Sequence, residues 1–284
     1  MRTTLIVVFS AIVASKGFGQ ARLYVADGAK SAVFMQDSAS SPNEESTPTF
    51  MPDGKTVYIA NNGVICFSKR IAGNWTRPMP ISFTGQYKEW DPTLTPDGER
   101  LLFVSNRPYR ASDGSTKTGN HLWMSRLMAE GKWSEPQHLD SPVNEFGLVN
   151  YGPSISASGT ICFCSRDRDG NKGMHAYLCR RMGDHYEKPQ LLLLNGNEPT
   201  YDPYIAPDER YILFSSDSAL FISYRTDRGW SPGEKLGPQV NDASKSGMLW
   251  GPSISRDGKT LYYNGGTVDG IEMIPVSWSN GRRK

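Results

Sequence analysis

Residues 101–105, Leu-Leu-Phe-Val-Ser, are apolar without alternation. On a strand, Leu101 and Phe103 face one side and Leu102 and Val104 the other, so both faces need cover. This strand ends a phrase that recurs five times. The copies are STPTFMPDGKTVYIANN from Ser46, WDPTLTPDGERLLFVSNR from Trp90, YGPSISASGTICFCSRD from Tyr151, YDPYIAPDERYILFSSD from Tyr201 and WGPSISRDGKTLYYNGG from Trp250. Each reads as a short strand, a tight turn and a second strand. Pro-Asp-Gly signals the turn, because proline presets φ and glycine accepts φ > 0. The repeated prolines, Pro48, Pro92, Pro153, Pro203 and Pro252, are spaced by 44, 61, 50 and 49 residues. Short strands at a period near fifty predict an array of small β-sheets, as in a propeller.

A second recurrent phrase supplies the rest of each sheet. VICFSK at Val64, HLWMSR at His121, AYLCRR at Ala176 and ALFISY at Ala219 predict third strands. The segments that follow predict outer strands, each opening with an aromatic: Trp75, Trp133, Tyr186 and Trp230. These four aromatics are expected to pack between sheets. Two exits share Leu-x-x-x-Val-Asn, at Leu139 and Leu236. The fifth copy has no outer strand before the chain ends, and the segment near residues 22–35 is the substitute. The expectation is an all-β, five-bladed β-propeller with four-stranded blades, its last blade closed by the N-terminal strand. That closure also protects an open edge.

The Pro-Asp-Gly strand-turn phrase resembles that of the TolB-like β-propellers, a family of WD-like repeats. The resemblance spans nearly all of residues 21–278. Copy three departs with Ser-Ala-Ser-Gly, and copy four has Glu209 in the glycine slot; both departures concern turns. The resemblance implies a secreted or periplasmic binding protein. Some carbohydrate-active enzymes share similar repeats, but no catalytic motif of such an enzyme matches residue by residue.

Residues 1–20 read as a secretory signal peptide: Arg2, then an apolar stretch from Leu5, then Gly17 and Gly19. Residues 21–284 then form a single propeller domain, expected to be monomeric. The apolar run is too short to span a membrane, and no later segment is long enough. Without Arg2 and Lys16 the basic and acidic residues balance at 29 each, and no basic run alternates with aromatics. That excludes nucleic acid as a natural partner. The four cysteines make no disulfide framework. Cys162 and Cys164 share a face and cannot easily pair; Cys164 opposite Cys179 across a hairpin is the alternative to four buried thiols. His121, His138, His175 and His185 lack metal-ligand spacing, so neither a metal nor another cofactor is expected.

A site in such a fold is expected at the channel mouth, where loops of all blades converge. The inner strands begin there with Trp90-Asp91, Tyr151-Gly152, Tyr201-Asp202 and Trp250-Gly251, and Ser46-Thr47 in the first blade. The four aromatics are either a platform for sugar rings or peptide side chains, or packing between blades. The second strands end on the same face and bring Asn106, Arg107, Arg166 and Asp217 to a polar rim. Asp91 and Asp202 read two ways: as the paired carboxylates of a glycosidase, or as caps on turns. The loop at residues 107–120 breaks the repeat and is a lid, a partner contact or a surface insertion. The leading expectation is a non-catalytic binder of a cell-envelope protein, peptide or glycan. A glycoside hydrolase or lyase is the alternative.

Overall fold

The computed structural model describes residues 21–35, 48–110, 113–242, 247–265 and 270–279. The leader expected at residues 1–20 and the Ser46-Thr47 pair lie outside them. The described chain is a five-bladed β-propeller. Blade two shows the plan: Glu89–Leu94 innermost, then Arg100–Ser105, His121–Arg126 and Gln137–His138, all antiparallel. Blade five orders as Trp250–Ile254, Thr260–Asn264, Ile271–Pro275 and then Ala32–Val33 from the other end of the chain. Ala32 pairs with Met273 and Val33 with Glu272, so the N-terminal strand does close the ring. A second ribbon, Arg22–Tyr24 with Ser277–Ser279, seals the same junction.

The doubly apolar strands are covered as their pattern requires. Leu101 and Phe103 enter a core shared with Tyr58 and Ile65 of blade one. Leu102 and Val104 enter one shared with Phe163 and Tyr177 of blade three. Five such cores fill the five gaps between blades. One aromatic from each outer segment reaches a core: Trp75, Trp133, Tyr186, Trp230 and, in the fifth gap, Trp278. The outer segments differ from expectation in one respect. The aromatics lie on a short returning stretch, as where Trp75 pairs with Arg70, and the outer ladder comes after the next proline, at Met79–Pro80 and Glu234–Lys235.

Recurring polar positions fasten each blade. Ser68, Ser125 and Ser223 donate to the Thr76, Ser134 and Ser231 carbonyls at 2.6 Å each. In blade three Cys179 holds that position, with Sγ 2.8 Å from the Glu187 carbonyl. The Leu-x-x-x-Val-Asn motif also has a structural meaning. Asn144 Oδ1 accepts the Leu122 N–H at 2.9 Å, and its Nδ2 donates to the Leu122 and Leu139 carbonyls. Asn241 repeats this with Leu220 and Leu236.

The four cysteines are free and buried. Cys164 lies opposite Ala176 and Cys179 opposite Ile161, so the register removes the cross-strand disulfide alternative. The two departures from the turn pattern bind each other. Ser156 and Ser158 of blade three both donate to Glu209 Oε1 of blade four, at 2.8 and 2.5 Å.

Candidate functional site in the central channel

The five inner strands turn an edge without a partner strand toward the propeller axis, where side chains of the neighbouring blade bond some of its backbone groups, and they enclose a cavity of about 440 Å3. All five repeat prolines line it. A residue without an N–H leaves no orphan donor on such an edge. Before four of these prolines stands a residue in the left-handed region: Asp91 (φ 50°), Gly152 (52°), Asp202 (47°) and Gly251 (59°). Each sits in a bulge where the inner strand slips register against its neighbour. Glycine and aspartate are residues that tolerate this conformation.

The aspartates and glycines interlock between blades. Asp91 Oδ2 accepts the Gly152 N–H at 3.0 Å, and Asp202 Oδ2 accepts the Gly251 N–H at 3.2 Å. A Cβ on Gly152 would stand 2.7 Å from both the Cα and Oδ1 of Asp202, so only glycine fits. The Gly152 backbone therefore stands between the two carboxylates. Burial lifts the pKa of both. Asp202 is pushed up to about 7, by burial first and by the charge of Asp91 second, against hydrogen bonds from Gly251 and Ser215. For Asp91 the Gly152 N–H opposes burial without cancelling it.

From this ring the lining runs down the inner strands to the Pro-Asp-Gly turns, where Pro207, Asp208, Arg256 and Asp257 are exposed. Arg256 occupies the turn position held by Pro52, Pro96 and Pro207 in three other copies. Its Nε and Nη2 donate to the Phe50 carbonyl at 2.9 and 2.7 Å. Nη2 also reaches the Thr95 carbonyl at 3.1 Å, and Nη1 the Pro96 carbonyl at 3.3 Å. One side chain thus clasps blade five to blades one and two. Trp278 stands beside it, donating from Nε1 to the Gly258 carbonyl at 2.9 Å, with its ring 4.6 Å from that of Tyr211.

Of the residues singled out in the sequence, Asp91, Asp202 and Trp250 line this cavity. Trp90 and Tyr151 pack against the core between blades two and three, and the Tyr151 hydroxyl accepts from Asn120 Nδ2. Tyr201 is half-buried and outside the lining. Asn106 is exposed, its Oδ1 accepting the Lys88 N–H at 3.0 Å. Arg107 is committed to the blade interior: it is 8% exposed, ion-paired to Glu89 at 2.8 Å and stacked over Trp123. Arg166 is exposed at a strand end, and Asp217 sits in a hairpin turn at φ 46°. Second strands run away from the Pro-Asp-Gly turns. Asn106, Arg166 and Asp217 therefore stand on the face opposite the exposed lining of the cavity.

Arg256 and Trp278 were not among the residues singled out in the sequence, and His121 and His138, weighed there only as metal ligands, prove to meet each other. Arg256 carried a readable signal, a long cation where the repeat has proline. His121 Nδ1 meets His138 Nε2 at 2.8 Å, and His138 Nδ1 meets Asp140 Oδ1 at 2.9 Å. Burial first, and His138 second, push the pKa of His121 down to about 4. No group of three metal-ligating side chains occurs among the described residues.

No protein-family model matches the chain, and no curated protein matches it. Solved structures do. A putative TolB from Agrobacterium tumefaciens aligns with TM-score 0.53 and 17% identity, over 86% of this chain and 78% of the other. A protein of unknown function from Dyadobacter fermentans aligns with TM-score 0.52 and 12% identity, over 90% and 99%. A glucose dehydrogenase aligns with TM-score 0.50 and 11% identity, over 88% and 100%. At these identities the likeness is one of fold.

Proposed function

We propose that this protein is a non-catalytic binding propeller, exported to the periplasm or beyond, that takes a cell-envelope protein, peptide or glycan into its central channel. The observation that carries the reading is the place of Gly152. A glycosidase needs its two carboxyl groups on either side of the scissile bond. Here the space between Asp91 and Asp202 is filled by backbone, and each carboxylate holds a glycine N–H of the next blade. What remains is a cavity walled by proline rings, with Trp250 and Tyr204 as flat surfaces. Such walls suit recognition. No helix among the described residues is long and apolar enough to cross a membrane.

The test is a glycan and peptide array probed with the mature protein, with product analysis of every ligand bound. Intact ligand, with binding reduced by Trp250→Ala, is the expected result. Cleaved or oxidised ligand would replace this reading with an enzymatic one.

A further inference from the structure

Three large apolar side chains, Ile71, Met128 and Met182, are 62, 55 and 49% exposed. They hold one repeat position in blades one, two and three. Each follows a third strand, on the short returning ribbon whose aromatic reaches a core between blades. The root pairs are Arg70 with Trp75, Leu127 with Trp133 and Arg181 with Tyr186. One step further out, Ile71 lies opposite Asn74, the Met128 N–H donates to the Lys132 carbonyl, and Met182 lies opposite His185. Equal register beyond equal anchors sets the three side chains at one level around the rim. The ribbon itself does not require them. Blade four has the same root, Arg225 with Trp230, and carries Thr226 at that position.

Cations surround these tips. Lys69 and Arg70 precede Ile71, Arg180 and Arg181 precede Met182, and Arg126 and Lys132 flank Met128. Blade four continues the series with Arg225 and Arg228. Against these eight, the same ribbons (residues 69–75, 126–133, 180–186 and 225–230) hold three acids, Glu130, Asp184 and Asp227. Glu130 is already engaged by Lys132 at 3.5 Å. The chain beyond its leader is balanced in charge, so the rim concentrates the positive share. Inside the rim the turns stay near balance, as where Arg210 follows Asp208 and Lys259 follows Asp257.

We propose that this rim docks on an anionic lipid bilayer, with the three apolar tips in the headgroup layer and the cations against the lipid phosphates. The spacing selects the partner. A protein interface is built on a contiguous dry core, and side chains one blade apart do not make one. A bilayer is flat, as three tips at one level require, and takes isolated apolar side chains singly. Its hold combines their burial with attraction between cations and anionic headgroups. A phosphate polymer would engage the cations and leave Ile71, Met128 and Met182 in water. The ribbons lie at the end of the Pro-Asp-Gly turns, since the Arg70 and Leu127 N–H groups donate to the Lys55 and Glu99 carbonyls at 2.8 Å each. Docking therefore turns the exposed lining of the channel toward the lipid. The surface is separate from that lining and does not depend on the ligand proposed above.

Co-sedimentation of the mature protein with vesicles tests this. One set is pure phosphatidylcholine and the other holds about a third phosphatidylglycerol, each at about 0.1 M and about 0.5 M NaCl. The protein should partition onto the anionic vesicles about tenfold more strongly than onto the neutral ones, and high salt should remove most of the difference. Ile71→Thr, Met128→Thr and Met182→Thr together copy blade four, so the triple variant should melt as the parent does and lose about tenfold in partition at unchanged charge. Arg70→Gln with Arg181→Gln should lose about as much, and this pair decides the matter if the triple variant melts lower. Phe146→Ser, at an exposed apolar residue outside the ribbons, should change nothing. Equal partition onto neutral and anionic vesicles, absence of binding to both, or a loss in Phe146→Ser equal to that of the triple variant would overturn the proposal. A folded triple variant that binds like the parent while the arginine variant does not would show attraction to phosphate alone, and would overturn it as well.

Discussion

Asp202 carries a pH signature whose sign can be worked out. Its folded pKa lies above its unfolded value, near 4. Its contribution to stability is therefore fully present below pH 4 and is lost as pH rises through about 7. The Asp202→Asn protein should become the relatively more stable one as pH rises from 4 to 8, by up to about 4 kcal/mol, or about 10 °C in Tm. The difference between the two proteins is the quantity to read, because His121 acts in the opposite direction. Its depressed pKa gives stability that is present above pH 6.5 and lost toward pH 4. Parallel melting curves of the two proteins across this range would refute the assignment.

The tryptophans divide at the same scale. Trp133 is 7% exposed in the core between blades one and two, and truncation to alanine should cost about 3–5 kcal/mol. Trp90 packs against the next core and should also lose stability on truncation. Trp250 is half-buried and lines the channel, so Trp250→Ala should lower ligand affinity by about 1–2 kcal/mol with little change in melting. Melting and affinity measured on the same three variants check this.

Among the elements, the exits of blades two and four share one device. Asn144 and Asn241 each answer one N–H and two carbonyls that the neighbouring strands leave open. Alanine at either position leaves buried backbone groups unpaired and should cost about 2–3 kcal/mol. The two sites are in different blades, so the double variant should show the sum within about 0.5 kcal/mol. Urea unfolding of the two single variants and the double variant measures both quantities. The turn of blade three shows the same economy between elements. It lacks the aspartate of the other turns, and the Glu209 of blade four receives its two serine hydroxyls instead.

The whole ring is held at one junction by three fastenings: the outer strand Ala32–Val33, the ribbon of Arg22–Tyr24 with Ser277–Ser279, and the Arg256 clasp. Phe34 adds to them, packing edge-on against Phe50, Trp75 and Tyr262. Deleting residues 21–35 removes the first two and exposes a strand edge and two blade faces together. Strong destabilisation or aggregation is expected, and a truncated protein melting within about two degrees of the parent would contradict the closure. Arg256→Ala removes four charge-assisted hydrogen bonds across three blades and should be destabilising by about 2–3 kcal/mol.

The sequence by itself determined the architecture, because the constraints that make a blade are local. Apolar residues on both faces of a strand demand two covers, a Pro-Asp-Gly turn brings the next strand back, and five copies at one period leave a ring as the packing solution. The missing outer strand of the fifth copy likewise pointed to the N-terminal segment. The site depended on what local patterns do not contain. Whether Trp90 and Tyr151 face the channel or a core is decided by the bulge at the following residue, which re-aims the chain. Whether Asp91 and Asp202 form an acid–base pair is decided by a glycine contributed by a third blade. Arg107 was placed on a rim by its position, yet Glu89, eighteen residues away, draws it into the blade. Residues at equal repeat positions carry equal backbone roles, but their side chains answer to neighbours in other blades, and only the closed ring brings those neighbours into contact.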